Sequence, residues 1–355
     1  MPCRSCRRRA KSNGFSPITA LPYNYQENNV TQTRRNYHSH SSRALLFAGL
    51  AGCVISSLNA LAAPTAYVPN EKSGTVSVID TSGVQPQTTI TVSKRPRGIA
   101  ASPDGRWLYL TDAQSNSLVL VNTAKGTVER QVPLGESPEG IYTSADGKRI
   151  AVAVEGSNSV VLLDAASLSK QAEIKVQGKN PEHAVFSPDG RWLYVSAEEA
   201  EQVDVIDLAS GRQAGQIAVG KRPRGIAFLP DGSRAYIACE LAGKVYVVDT
   251  AARKVLAEIP LGINPNGVAM DPAGRRVYVS NGKDGTVNAI DTVDNRVVAT
   301  IEVGKRPWNM ALTPDGKRLY VANGRSGSVS VIDTETLAKT QDIPVGELPW
   351  GVVIR

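Results

Sequence analysis

The sequence predicts an all-β fold, a seven-bladed β-propeller, in which seven four-stranded antiparallel sheets stand around one axis. Three observations predict it. One motif recurs seven times, each copy holds four short extended runs, and no stretch keeps the apolar spacing of a helix. Four strands per unit, repeated seven times at about 42 residues, is the arithmetic of such a propeller.

The repeat is marked by a proline that returns every 42 residues, with a single gap of 43. An Asp or Asn at a strand end returns with the same gaps, so the repeat holds no insertion apart from that one residue. The seven prolines are Pro96, Pro138, Pro181, Pro223, Pro265, Pro307 and Pro349.

Each unit reads as four strands separated by turns, as the unit that starts at Pro307 shows. Extended runs cover 308–313, 318–322, 328–333 and 339–345, and apolar and polar residues alternate in the third. A Pro-Asp-Gly turn follows the first run, with φ set by Pro and positive φ accepted by Gly. We therefore expect the aspartates of this turn to be turn residues rather than calcium ligands; they are Asp104, Asp189, Asp231 and Asp315.

The phase of the repeat at its two ends predicts a closed ring. Numbered outward from the axis, the repeat opens at a second strand, 65–68, and stops after an isolated first strand, 350–355. These two partial units add up to one complete blade. The C-terminal strand should therefore pair with the N-terminal blade, which would hide sheet edges that otherwise template aggregation.

The first 62 residues read as a leader and residues 63–355 as the propeller. Arg43 precedes an apolar run, 44–58, which ends at Ala60-Leu61-Ala62, the pattern of a secretory signal over about 43–62. The run is too short for a membrane span, so we expect an exported, periplasmic protein. As an alternative, residues 50–53 form a lipobox that would place a lipid anchor on Cys53.

Charge and ligand content exclude several functions for the folded part. Residues 1–43 hold eight Lys/Arg and one acidic residue, so 32 basic and 32 acidic residues remain beyond them. A neutral domain lacks the basic footprint of nucleic-acid binding. Of the histidines and cysteines, only His183 and Cys239 lie beyond residue 53. Two such residues are too few for a disulfide framework or a Cys/His metal site. We expect Cys239 to be a small buried residue.

The repeat resembles a known family. The stretch Leu-Tyr-Val-Ala-Asn-Gly-x-x-Gly-x-Val-x-Val-Ile-Asp, followed by Ile-Pro-Val-Gly, is similar to the YVTN propeller repeats from Tyr67 to the end. The signal-bearing layout, with Lys-Arg-Pro-Arg-Gly at 94–98 and 221–225, resembles the PQQ-dependent catabolism-associated propellers. That resemblance implies periplasmic alcohol oxidation, with a quinoprotein dehydrogenase, cytochrome c or transport component as partner. We expect the protein itself to be a monomer.

A position that varies between the units is free to serve function. The residue after each proline varies between the units, at the point where the innermost strand enters the channel; in ring order it is Arg97, Glu139, Glu182, Arg224, Asn266, Trp308 and Trp350. Trp308, Trp350 and Arg97 form one arc, which suits a flat anion such as PQQ. Its flanking cations are Lys94, Arg95, Lys305 and Arg306.

A second variable position lies in the turn between strands two and three. It carries glutamate in four units, Glu71, Glu155, Glu198 and Glu240, so we expect one side of the face to be basic and the other acidic. Such a division could orient a docking partner. Rim charges that merely face water are the alternative.

Our main hypothesis is a non-catalytic binding propeller, an accessory to PQQ-linked alcohol oxidation, with no assigned catalytic residue. The alternative is a lactonase-type hydrolase that uses Glu182, His183 and Arg224 for acid–base chemistry. His183 stands where most other units have Gly, and packing alone would also explain it. A generic docking propeller unrelated to PQQ is a third hypothesis.

Overall fold

The computed structural model describes residues 63–83 and 85–355, which form the whole repeat region. The predicted signal, its cleavage site and the lipobox at Cys53 lie outside the described residues. Within the described part, every regular element is a β-strand, and the strands assemble into seven four-stranded antiparallel sheets. No helix in that part is long and apolar enough to cross a membrane.

The strands follow one another in chain order. The first blade holds β1 (Thr65–Asn70), β2 (Thr75–Asp80), β3 (Pro86–Thr91) and, from the other end of the chain, β28 (Val353–Ile354). Blade 2 holds β4 (Pro96–Ala101), β5 (Trp107–Asp112), β6 (Ser117–Asn122) and β7 (Thr127–Pro133); blade 3 holds β8 (Pro138–Thr143), β9 (Arg149–Val154), β10 (Ser159–Asp164) and β11 (Lys170–Lys175). Blade 4 holds β12 (Pro181–Phe186), β13 (Trp192–Ala197), β14 (Gln202–Asp207) and β15 (Arg212–Ala218); blade 5 holds β16 (Pro223–Phe228), β17 (Arg234–Cys239), β18 (Lys244–Asp249) and β19 (Lys254–Pro260). Blade 6 holds β20 (Pro265–Met270), β21 (Arg276–Asn281), β22 (Thr286–Asp291) and β23 (Arg296–Glu302); blade 7 holds β24 (Pro307–Leu312), β25 (Arg318–Asn323), β26 (Ser328–Asp333) and β27 (Ala338–Pro344).

The expected ring closure is confirmed. In β28, Val353 and Ile354 pair with Tyr67 and Ala66 of β1, and the Trp350 amide donates to the carbonyl of Pro69 at 3.0 Å. The C-terminal strand thus completes the sheet that the N-terminal strands begin.

The core lies between the blades, where the two middle strands of each sheet are buried on both faces. Val68 and Ile79 of blade 1, for example, share one apolar cluster with Tyr320 and Val331 of blade 7. The recurring tyrosines tie neighbouring blades, since the Tyr320 hydroxyl donates to the carbonyl of Thr81 at 3.2 Å. Successive side chains of a middle strand point to opposite faces of the sheet, so alternate residues pack against the two neighbouring blades.

The predicted turns are also confirmed. Asp104 accepts hydrogen bonds from the Ser102 hydroxyl (2.6 Å) and the Arg106 amide (3.1 Å), and Gly105 has a φ of 70°. The same aspartate-centred turn recurs at the three other sites. These carboxylates are occupied by the hydrogen bonds of their own turn.

Ring closure makes a testable prediction about stability. Ile354, which is 2 % exposed, fills the cluster between blades 7 and 1. We expect Ile354→Ala to lower the free energy of unfolding by about 2–5 kcal/mol, the usual cost of such a cavity. Denaturant unfolding measures it, with Val293→Ala as control, because Val293 is 80 % exposed. Equal stability of the two variants would contradict closure by this strand.

Candidate functional site

The seven side chains that follow the blade prolines line one cavity at the mouth of the channel. Its volume is about 280 Å³, and all seven contribute to its wall, including Arg97, Trp308 and Trp350. Loop residues between the second and third strands add Glu71, Glu155 and Glu198. We call this space the mouth cavity.

Local backbone geometry brings these side chains together. Position 98 and its equivalents are glycine in five units, and at Gly140 a Cβ atom would lie 2.7 Å from the carbonyl oxygen of Glu182 in the next blade. The inner strands therefore approach closely. In six blades the residue before the proline has a positive φ, as Arg222 (59°) and Arg306 (55°) show. That left-handed turn is uncommon for residues with a side chain, and its recurrence in six blades makes it part of the repeat.

One arginine bridges the first three blades. The Arg97 Nε atom donates to Glu71 of blade 1 at 3.1 Å, and its Nη1 atom pairs with Glu139 of blade 3. Arg95 also donates to Glu71, at 2.7 Å. The guanidinium of Arg97 is thus already bound by two carboxylates.

A second group of arginines bridges blades 4 and 5. Arg224 contacts Glu182 at 2.8 Å and Glu240 at 2.8 Å, and it also pairs with Glu198. Arg222 lies 3.1 Å from Glu198 and 3.3 Å from Glu240. From blade 7, Arg306 reaches the same Glu240 at 3.2 Å.

The structure therefore differs from the expected division into a basic and an acidic side. Glu71 of blade 1 pairs with Arg97 of blade 2, and Glu198 of blade 4 pairs with Arg224 of blade 5. The loop between strands two and three lies beside the inner strand of the next blade, so the two variable positions interleave. Lys94 and Lys305 are exposed outside the mouth cavity.

Glu139 and Glu182 meet where blade 3 adjoins blade 4, each bound by a different arginine. Burial raises the pKa of Glu139 to about 8, and the neighbouring Glu182 adds to the rise. Burial and Glu182 also raise the pKa of Glu198 to about 7, and these two carboxyl groups hydrogen-bond to each other. Burial opposes ionisation of Glu182, but Arg224 outweighs it and lowers its pKa. At neutral pH the junction holds its charge on Glu182 and its protons mainly on its neighbours.

Ser137 joins the third carboxylate to this junction. Its hydroxyl lies 2.8 Å from Glu155 and 3.3 Å from Glu139. A hydroxyl has one hydrogen to donate, so it serves one carboxylate at a time. Among the described residues Glu155 has no ion-pair partner.

Two indoles and two amides form the other wall of the mouth cavity. Trp308 lies against Gly324, where a Cβ atom would come within 2.7 Å of the ring. At Gly282 a Cβ atom would lie 3.4 Å from Arg306, which is an ordinary contact. Both glycines stand at the loop position that is glutamate in four other units, and at Gly324 the absence of a side chain makes room for the indole.

His183 is deeply buried, at 1 % exposure, and is not among the residues of the mouth-cavity wall. Its Nδ1 atom lies 2.8 Å from the Tyr142 hydroxyl, and its ring centre is 6.0 Å from that of Trp350. Burial lowers its pKa to about 4, so the imidazole is neutral at pH 7. Its Nε2 atom has no hydrogen-bond partner in the described part of the chain.

The predicted hydrolase residues are thus only partly brought together. Glu182 and Arg224 form an ion pair, whereas the hydrogen bond of His183 goes to Tyr142. Tyr142 was missed by sequence reasoning, although it occupies a repeat position that is Ala or Val in the other units.

Cys239 is fully buried at the end of β17, and burial raises the pKa of its thiol to about 12. Residues 63–83 and 85–355 contain no group of three His, Cys, Asp or Glu placed to hold a metal ion.

Comparisons with known proteins agree with this architecture. A family model described as YNCE-like beta-propeller matches residues 108–275, and one described as Lactonase, 7-bladed beta-propeller, matches residues 207–347. Searched against curated proteins, the sequence has no match.

Several solved structures are similar. A chain of Kuenenia stuttgartiensis hydrazine synthase is 28% identical, with a TM-score of 0.70 over 76% of this chain and 92% of that one. A functionally unknown protein from Desulfotomaculum acetoxidans is 16% identical, with a TM-score of 0.73 over 82% and 98%. Dihydro-heme d1 dehydrogenase NirN, in complex with DHE, is 19% identical, with a TM-score of 0.64 over 81% and 74%.

The raised pKa of Glu139 makes a prediction about stability and pH. A carboxyl group whose pKa is raised by folding stabilises the fold below its unfolded pKa of 4.5, and this contribution is lost as the pH rises towards 8. Glu139→Gln, which stays neutral, should therefore gain stability relative to wild type across this range. Thermal unfolding at several pH values measures the difference. Glu136→Gln, at an exposed position, is the control, and a constant difference across the range would contradict the shift.

Proposed function

We propose that this chain is a non-catalytic binding propeller, whose ligand occupies the mouth cavity, and that it serves as an accessory in PQQ-dependent alcohol oxidation outside the cytoplasm. The observation that carries the binding function is the convergence of seven different side chains, one from each blade, on one cavity of about 280 Å³. Equivalent positions of a repeat that differ in chemistry are not needed by the repeat itself.

The energetics of the wall support binding rather than stability. Arg97 and Arg224 are largely withdrawn from water, and each is bound by two or three carboxylates. Such pairs give little net stability compared with apolar packing, because desolvation offsets their attraction. Prearranged charged groups beside two indoles can fix the orientation of a small polar molecule.

The pathway is proposed from the resemblance to the PQQ-associated propellers and from the signal-like leader. The partner would be a quinoprotein dehydrogenase, a cytochrome c or a transport component.

PQQ itself is a less suitable ligand than the sequence suggests, because the guanidinium of Arg97 is already engaged by Glu71 and Glu139. We expect PQQ to leave the Trp fluorescence unchanged; saturable quenching that is lost in Trp308→Ala would identify the cofactor as the ligand.

Growth on alcohol tests the accessory role. Deleting the gene should slow growth on ethanol and leave growth on succinate unchanged. Wild type should restore growth, whereas Trp308→Ala should not, because it removes one wall of the mouth cavity. Trp107→Phe is the matched control, since Trp107 lies outside that cavity. Equal growth of the deletion strain and its parent on ethanol would refute the pathway.

A lactonase-type hydrolase is the second candidate, favoured by the lactonase family match over residues 207–347 and by the contact of Glu182 with Arg224. The orientation of His183 towards Tyr142 counts against it. A lactone hydrolysis assay decides: the binding function predicts the rate of buffer alone. Turnover that His183→Ala abolishes would instead establish the hydrolase.

A further inference from the structure

The charged groups of the mouth cavity leave one gap in the ring. Arg97 connects blades 1, 2 and 3, and Arg224 connects blades 4 and 5. Between them, Glu139 of blade 3 faces Glu182 of blade 4; each pairs with its own arginine, and no arginine or lysine of the described chain lies within ion-pair distance of both. In the rest of the network an arginine stands between neighbouring carboxylates, and a positive group placed at this junction would do the same there.

Glu155 enlarges this gap to three carboxyl groups. It lines the mouth cavity, and its hydrogen bond from Ser137 is its one side-chain contact with a polar partner among the described residues. Glu139 and Glu182 are both more than nine-tenths buried, so water compensates little of their charge. A cation from solution would find three acceptors on one side of the cavity.

Aromatic rings stand on the other side. Trp308 and Trp350 belong to blades 7 and 1, which lie across the channel from blades 3 and 4. The channel is narrow here, because the ring centres of His183 in blade 4 and Trp350 in blade 1 are 6.0 Å apart. A ligand seated on the carboxylates therefore also meets indole, whose face attracts cations.

A buried nitrogen that has no partner among the described residues lies next to two residues of this wall. Nε2 of His183 is buried without a hydrogen-bond partner in the described chain, next to Glu182 and against Trp350. Buried polar atoms of folded proteins almost always have a partner. In the tautomer whose Nδ1 hydrogen goes to Tyr142, Nε2 accepts a hydrogen bond, as the N–H of an amine could supply.

We propose that the mouth cavity binds a small organic cation, a primary amine on an apolar or aromatic body, with its ammonium among Glu139, Glu155 and Glu182 and its body against Trp308 and Trp350. This inference rests on the proposed binding function and names the chemical class of its ligand. An anion would have to displace carboxylates from Arg97 and Arg224, whereas an ammonium fills a gap that already exists.

Binding of this kind is linked to proton release. Glu139 is faced by Arg97, Glu155, Glu182 and the Ser137 hydroxyl, and burial raises its pKa to about 8. Near pH 7 the free site therefore holds a proton on Glu139 that an ammonium would replace. An anion would have the opposite effect, because it favours protonation of Glu139 and Glu198.

Isothermal titration calorimetry of the purified protein with three probes of one shape tests the charge preference. The probes are benzylamine, benzyl alcohol and benzoate, titrated between about pH 6 and pH 8, where the amine stays protonated. We expect benzylamine to bind at least about tenfold more tightly than the other two. Repeating the titration in buffers of different ionisation enthalpy should show release of about one proton near pH 7, and the affinity should rise with pH.

Variants locate the binding. Glu155→Gln and Glu139→Gln should weaken benzylamine binding at least about tenfold. Glu136→Gln, which changes an exposed glutamate outside the mouth cavity, should bind as wild type. Proton release should disappear in Glu139→Gln.

Two results would overturn the inference. Binding of benzoate in preference to benzylamine, with proton uptake, would show an anion site and leave the proposed binding function intact. Binding of none of the three probes would refute the amine class, and the growth experiment would then judge the accessory function separately. Benzylamine binding that is equal in Glu155→Gln, Glu139→Gln and wild type would place the amine elsewhere and also refute the assignment.

Discussion

The close approach of seven inner strands around one narrow channel determines the chemistry of this molecule. Glycine at position 140 and at three equivalent positions, 98, 225 and 267, allows these strands to pass within contact of a carbonyl group of the next. Each strand then delivers one side chain to a common space. Because seven side chains share that space, the charge of any one of them must be balanced by its neighbours or by a ligand.

The arginines balance the charge of most of the carboxylates in the mouth cavity. Arg97 and Arg224 each donate hydrogen bonds to carboxylates of two blades, so they hold the mouth in shape as well as neutralise it. The junction of Glu139 and Glu182 is different, because Arg97 binds one carboxyl group and Arg224 the other, and no guanidinium of the described residues pairs with both. Burial raises the pKa of Glu139 to about 8, so a cation that binds beside it displaces a proton. Shape and charge together thus favour recognition at this junction.

Much of the fold and part of the site could be predicted from the sequence. The 42-residue spacing of the prolines determines the number of blades, and the phase of the chain ends correctly predicts the pairing of Val353 with Tyr67. The variable residues after the prolines could be placed on one face because the repeat fixes their equivalence. The ion-pair partners of these residues could not be predicted, because the pairing of Arg97 with Glu71 depends on contact between blades rather than on position within a unit. The direction of His183 was hidden for the same reason, because its partner Tyr142 belongs to another repeat.

The claim that Glu139 and Glu182 oppose each other can be measured directly. The carboxyl carbon of Glu139, followed by NMR as a function of pH, reports the pKa of that side chain in wild type and in Glu182→Gln. We expect a pKa of about 8 in wild type and a clearly lower pKa in the variant, because the neighbouring negative charge is gone. A pKa near 4.5 in wild type, or the same raised pKa in both proteins, would contradict the account.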